Sequence, residues 1–154
     1  MSTTFVTCLI DIGRGDLKTF NRTYDHYVEC FIKLLKVVDA PMVIYCDDNT
    51  EKTVWQYRDK KNTQVIKYTV DDLKKFPFFT EVDNIRKNPE WYNSAGWLPE
   101  SPQAKLQMYN PLVFSKQFML NDCAIRNVFN TDFFAWIDAG IFNTVNLNNY
   151  FDGS

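Results

Sequence analysis

Two apolar runs of strand length, each stopping on an aspartate, stand near opposite ends of this sequence and limit what it can fold into. The first is Phe5-Val6-Thr7-Cys8-Leu9-Ile10-Asp11, which runs into Ile12-Gly13-Arg14-Gly15-Asp16. The second is Asp132-Phe133-Phe134-Ala135-Trp136-Ile137-Asp138, followed by Ala139-Gly140. Each is near-continuous in apolar residues, so each reads as a strand buried on both faces.

Between them the pattern alternates. From Thr19 onward, Tyr24, Tyr27, Val28, Phe31, Leu34, Leu35 and Val38 recur at three- and four-residue steps, the stripe of an amphipathic helix. Pro41 to Cys46 forms a second buried strand, closed by Asp47-Asp48-Asn49-Thr50, where Asn49 or Thr50 is placed to cap a helix carrying Val54, Trp55, Tyr57 and Arg58. Thr63 to Thr69 is a third strand. Asp71 and Asp72 cap a short helical turn before Pro77, and a further piece runs from about Thr80 to Lys87. Asn88 to Asn110, with Pro89, Pro99, Pro102, Trp91, Tyr92 and Trp97, shows neither period and reads as a long loop that either lies over a site or is pinned by its rings. Pro111 opens a last helix whose face is Val113, Met119, Leu120, Cys123, Ala124 and Val128.

The order β-α-β-α-β-(α)-loop-α-β predicts an α/β fold, a Rossmann-like three-layer α/β/α sandwich with a mainly parallel sheet and right-handed crossovers. With 154 residues, 45% of them hydrophobic, the chain fits one domain spanning 1–154. The first and last strands are expected to be neighbours at the point where the sheet reverses direction. Ligands of such sheets sit outside the carboxyl ends of the strands, so Asp11, Gly13, Arg14, Asp47, Asp48 and Asp138 are expected along one rim.

Charge narrows the partners. A formal net charge of -2 gives no general basic field, so nucleic acid and anionic membranes are not expected, and bound phosphate requires a local site. Cys8, Cys30, Cys46 and Cys123 form no C-x-x-C pair and fall in apolar segments, which points to reduced core thiols and a cytoplasmic protein. No signal-type segment and no apolar run of membrane-spanning length is present, so no transmembrane segment is expected. There is no G-x-x-x-x-G-K-[ST], and Gly13-Arg14-Gly15 lacks the third glycine of a dinucleotide fingerprint. The single histidine, His26, lies within the first helix, which argues against a Ser-His-Asp hydrolase or a His-rich zinc site.

What remains is acids and cations. Asp138 suits a hard divalent metal, which takes oxygen ligands and often only one or two carboxylates plus phosphate oxygens. Arg14 offers a planar fork to a diphosphate, backbone amides near Gly13 add donors, and Lys116 supplies a point charge. Each has a plainer reading: Asp138-Ala139-Gly140 as an Asx-type turn, Arg14 and Lys116 as solvated side chains, Asp47 as a helix cap.

Three segments together carry a likeness. Thr4-Phe5-Val6-Thr7 leading to Asp11-Ile12-Gly13-Arg14-Gly15, then Ser115-Lys116-Gln117-Phe118, then Phe134-Ala135-Trp136-Ile137-Asp138-Ala139-Gly140, resemble the WlaTC/HtrL (HtrL/YibB-like) glycosyltransferase-type family. The resemblance implies a GT-A-like nucleotide-sugar-binding half, with Mn2+ or Mg2+ held by a D-x-D-like element against the donor's diphosphate. It implies Asp138 as the catalytic, metal-side acid, and Asp11, Gly13, Arg14, Asp47 and Lys116 around the donor. The implied partners are a nucleotide-sugar donor and a glycan or other hydroxyl acceptor, as in surface-polysaccharide synthesis.

Two departures stand out. The second acid of D-x-D is replaced by Gly140, so a metal needs another ligand or the site works with little metal. The chain also ends soon after Asp138, where a GT-A enzyme normally has a further acceptor-binding half. Both favour an alternative, a non-catalytic Rossmann-like module that binds a nucleotide or a protein. A phosphohydrolase using Asp11 as nucleophile requires an acid two residues on, where the chain has Gly13.

Overall fold

The structure, a computed structural model, describes residues 1–145. Its strands are β1 (Thr3–Leu9), β2 (Met42–Cys46), β3 (Thr63–Lys67) and β4 (Phe133–Trp136). Its helices are α1 (Tyr24–Val37), α2 (Asp48–Tyr57), α3 (Val70–Leu73), α4 (Phe79–Lys87), α5 (Pro89–Tyr92), α6 (Pro102–Lys105) and α7 (Tyr109–Arg126). Short 3-10 turns lie at Arg14–Asp16, Leu98–Glu100 and Ile141–Asn143.

The strands form one four-stranded sheet in the order β3-β2-β1-β4, and every pairing is parallel. Phe5 lies opposite Met42 and Val6 opposite Trp136, so β1 is gripped from both sides. From β1 the chain steps outward to β2 and β3, then returns to add β4 on the other side of β1. Since each parallel crossover is right-handed, that reversal sends α1 and α2 to one face and α7 to the other. The three-layer α/β architecture expected from the alternation is therefore the one found. β2, covered on both faces, is buried at all five positions. On the α7 face, Val6, Val43 and Tyr45 pack with Met119 and Cys123, flanked by Cys8, Phe134 and Trp136. Helix α1 buries Cys30, Phe31, Leu34 and Leu35, the stripe read from its spacing.

The described chain divides into two compact units. One comprises Met1–Ile10, Asp25–Tyr68 and the chain from Lys116; the other comprises Asp11–Tyr24 and Thr69–Ser115. In the first, the amino ends of the strands are tied by Arg58. Its guanidinium donates to the carbonyls of Val38, Ala40 (2.7 Å) and Asn62 (3.3 Å), and its Nε donates to Thr63 Oγ1 (3.0 Å). A planar fork with five donors can serve this many carbonyls at once. The start of β4 is fixed to the start of β1 by a hydroxyl pair, Thr4 Oγ1 to Thr131 Oγ1 at 2.7 Å, and by Ser2 N donating to Asp132 Oδ2 at 2.8 Å.

In the second unit, Asp83 is nearly buried and receives Arg86 Nη2 at 2.8 Å and Lys87 Nζ at 2.5 Å, while Arg86 Nη1 donates to the Ala104 carbonyl at 2.9 Å. Phe76 stacks on Phe114 with ring centroids 6.3 Å apart.

Several local expectations are corrected. The first helix begins at Tyr24 rather than Thr19; Phe20, at φ 55, breaks the approach. Asp47, not Asn49 or Thr50, caps α2, because the helix starts one residue after the strand closes and draws the other two into its first turn. The stretch from Asn88 to Asn110 holds α5, the Leu98–Glu100 turn and α6, each with a proline at its first or second position and too short for any period to show. Helix α7 starts at Tyr109 and buries Pro111, Ser115, Met119 and Cys123 at four-residue steps. Val113, Ala124 and Val128, expected on its inner face, are exposed.

Candidate functional site

The reversal in strand order falls between β1 and β4, the position at which open α/β sheets leave a crevice outside their carboxyl ends. Asp138 stands there, two residues beyond β4. The ladder continues past the strand, with Ile137 N donating to the Val6 carbonyl at 3.0 Å, so the backbone under Asp138 is held by β1.

Asp138 is engaged by two donors at one oxygen. Lys116 Nζ lies 2.5 Å from Oδ1, and Trp136 Nε1 donates to the same Oδ1 at 2.8 Å. The ammonium also stands 5.5 Å from the centroid of the Trp136 ring, within cation–π range. Trp136 and Asp138 share a face because side chains two apart on an extended chain point the same way. Burial by itself raises the Asp138 pKa, but the bonds from Lys116 and Trp136 outweigh it and leave the carboxyl below its ordinary value. Both charged side chains keep solvent access, 30% for Lys116 and 54% for Asp138. A pair this exposed adds only about 0–1 kcal/mol to stability, so fold stability does not account for its placement.

Cys8, which packs with Trp136 against the α7-face cluster, has its pKa raised by burial and by neighbouring Cys46, with the Lys116 charge pulling the other way. Burial also pushes the Cys46 thiol up to about 12. All four cysteines are free.

Gly140 explains why the expected second acid is absent. A Cβ built there would lie 2.9 Å from Cε1 and 3.0 Å from Cδ1 of Tyr27 on α1, closer than side-chain atoms approach. The ring occupies the direction in which an aspartate would project. Three residues on, Asn143 Oδ1 lies 2.8 Å from His26 Nε2, so the first turn of α1 holds the chain after β4 at two points.

The other expected residues have local partners of their own. Asp47, at the carboxyl end of β2, accepts from Thr50 N at 2.8 Å and acts as the cap of α2. It sits on the same rim as Asp138 but two strand spacings away, roughly 10 Å. Its neighbour Asp48 pairs with Lys67 at 2.6 Å. Asp11, Gly13 and Arg14 belong to the second unit and form a turn of their own. Asp11 Oδ1 accepts from Gly13 N at 2.9 Å, and Gly13 takes φ +79, a conformation that favours glycine. Arg14 Nε donates to the Phe20 carbonyl at 3.3 Å, and its guanidinium lies 5.8 Å from the Tyr109 ring centroid.

The structure thus brings Lys116 and Asp138 together and gives Asp47 a capping role. Trp136 was missed as a polar partner, although its two-residue offset from Asp138 on a strand was legible. The contacts of Tyr27 and His26 join residues more than a hundred positions apart, and no local pattern announces them.

For a divalent metal, Asp138 offers Oδ2, since Oδ1 already receives two donors. Among the described residues no group of three or more His, Cys, Asp or Glu side chains is placed to hold a metal. One carboxylate oxygen with diphosphate oxygens and water still matches the sparse protein ligation that Mg2+ accepts.

Among the described residues no helix is long and apolar enough to cross a membrane. No solved structure matches the chain significantly. The chain is 28% identical over 163 residues to Protein HtrL of Escherichia coli (strain K12), an alignment covering 95% of this chain and 53% of that protein. It therefore spans about half the length of this curated relative. The family model described as "Bacterial protein of unknown function (HtrL_YibB)" matches residues 1–153, so the chain belongs to the HtrL_YibB family.

Proposed function

We propose that this chain is the donor-binding half of a glycosyltransferase, binding a nucleotide sugar at the β1/β4 switch point for transfer of the sugar to a hydroxyl of a glycan or surface polysaccharide. One observation carries the reading: a carboxylate, a lysine ammonium and a tryptophan ring meet where such sheets bind ligands, in a pairing too exposed to serve stability. In this reading Lys116 faces the diphosphate and offsets negative charge as the bond from sugar to phosphate oxygen breaks. Asp138 fixes the direction of that ammonium, and the Trp136 ring excludes water beneath it. A bound Mn2+ or Mg2+ would be held by Asp138 Oδ2 and would supply Lewis-acid stabilisation of the leaving diphosphate.

A nucleoside diphosphate with Mn2+ is expected to raise the melting temperature, and Asp138→Asn to remove most of that gain. No shift with any nucleoside diphosphate or nucleotide sugar would overturn the reading.

A second reading draws on Gly140. With Tyr27 filling the place of the second acid, the chain also suits a module that binds a nucleotide or protein without turnover. Binding of a nucleotide sugar that is neither hydrolysed nor transferred would favour it.

A further inference from the structure

We propose that the outward side of α7 is a two-fold interface through which two copies of this chain pair. The helix turns Met119 and Cys123 into the sheet, and its opposite side presents Gln117, Phe118, Asn121, Ala124 and Ile125, all exposed. Phe118 is 49% accessible and Ile125 76%. Asp122 is the one charged residue between Gln117 and Ile125, and its Oδ2 receives the hydroxyl of Tyr45 on β2 at 3.0 Å, which draws it toward the sheet. A helix forming an outer layer ordinarily shows charged side chains to solvent. Helix α1, on the other face of the sheet, does so with Asp25, Glu29, Lys33 and Lys36, all exposed. Helix α7 carries apolar residues on both sides, the pattern of a helix that is covered on both sides.

Three properties fit this side to its own copy. A two-fold contact sets the side chains near its axis against themselves, so a charge there would meet its like; the five residues carry none. Asn121, in the middle of the strip, has both a donating amide and an accepting carbonyl, so the two copies can bond to each other across the axis, as a single buried asparagine does between paired helices. The five side chains expose on the order of 500 Å2, so pairing removes about 1,000 Å2 in all, the lower bound for a specific interface and the size of a reversible one. Pairing also leaves the switch point open. Lys116 and Ile125 fall on opposite sides of a helix with about 3.6 residues per turn, and Lys116 reaches Asp138. The interface therefore stands whether or not the site binds a nucleotide sugar.

Sedimentation velocity of the native chain between about 1 and about 300 μM is expected to pass from the mass of one copy to that of two, with a dissociation constant on the order of tens of micromolar. Ile125→Glu and Phe118→Glu each set a charge against its like and are expected to weaken pairing by about thirtyfold or more, the scale of a central anchor. Circular dichroism checks that each variant is folded, and Ile125→Ser replaces either one that is not. Ile85→Glu makes the same change at an exposed apolar position on α4 and is expected to pair as the native chain does. A native chain that stays single throughout overturns the proposal and leaves this side of α7 to a partner outside the chain. A dimer that survives the substitutions on α7, association that does not stop at two copies, or equal weakening by Ile85→Glu overturns it as well.

Discussion

Replacing Gly140 isolates one steric fact. The residue sits at φ -91, ψ 14, a conformation open to L residues, so substitution brings no left-handed strain. What it brings is a Cβ 2.9 Å and 3.0 Å from two carbons of the Tyr27 ring, roughly 1 Å inside the usual carbon–carbon contact distance. Relief requires the ring to shift against the turn that also carries the His26–Asn143 contact. Overpacking of this kind costs about 1–3 kcal/mol, so Gly140→Ala is expected to lower the melting temperature by roughly 2–12 °C for a chain of this size. Gly140→Asp, which restores the second acid of D-x-D, is expected to cost at least as much. A double-mutant cycle with Tyr27→Ala assigns the cause. If the ring is the obstacle, Gly140→Ala becomes nearly neutral in the Tyr27→Ala background, a coupling of about 1 kcal/mol or more. Urea unfolding of the four proteins measures it. Strictly additive effects, or a Gly140→Ala protein as stable as the native one, would refute the account of why position 140 lacks an acid.

Two further outcomes test the framework. Arg58→Met strips donors from three carbonyls and a threonine hydroxyl at the amino ends of the strands, and is expected to cost about 2–4 kcal/mol in urea unfolding. Arg58→Lys should recover less than half, since one ammonium cannot span the same set; a loss below about 0.5 kcal/mol for Arg58→Met would sink the clamp. Burial raises the Asp83 pKa, but Lys87, Arg86 and Gln107 overcome it and hold the carboxyl below its ordinary value. A folded pKa below the unfolded one means stabilisation present above the ordinary carboxylate pKa and lost as pH falls through the folded value. The stability gap between native protein and Asp83→Asn should therefore narrow as pH falls below the ordinary carboxylate value of about 4, and a constant gap would contradict it.

The strands were readable because their information is local, apolar runs bounded by acids and turns, as was a helix whose Phe31, Leu34 and Leu35 repeat at the helical period; the burial expected of β4 was not found, because it is an edge strand with Phe133 exposed. The expected neighbours, β1 beside β4 with β2 and β3 to one side, are those found. The region from Asn88 to Asn110 was not readable, since four-residue helices opened by prolines leave no periodic trace. Helix α7 misled for a different reason. Hydrophobicity selected Met119 and Cys123, which are buried, but also Val113 and Val128, which are exposed, and it passed over the buried Ser115. At the site, Asp138 and Lys116 were legible as an acid at a strand end and a cation on the last helix. Asp47 took its plainer role as a cap because the helix begins directly behind it. The Tyr27 ring against Gly140 lies outside any sequence window, being a contact between the first helix and the end of the last strand.

The pairing of β1 with β4 also sets the order in which the molecule assembles. Thr4 meets Thr131 and Ser2 meets Asp132, partners separated by 127 and 130 positions, whereas β1 meets β2 after fewer than forty. Loop-closure entropy makes such distant pairings slow, and on the ribosome β4 is made after β1, β2 and β3. Until then β1 has one open edge, and Lys116 has no Asp138 to pair with. The crevice at the switch point thus forms after the pairing of β1 with β2, and a chain released before residue 138 lacks the carboxylate that pairs with Lys116.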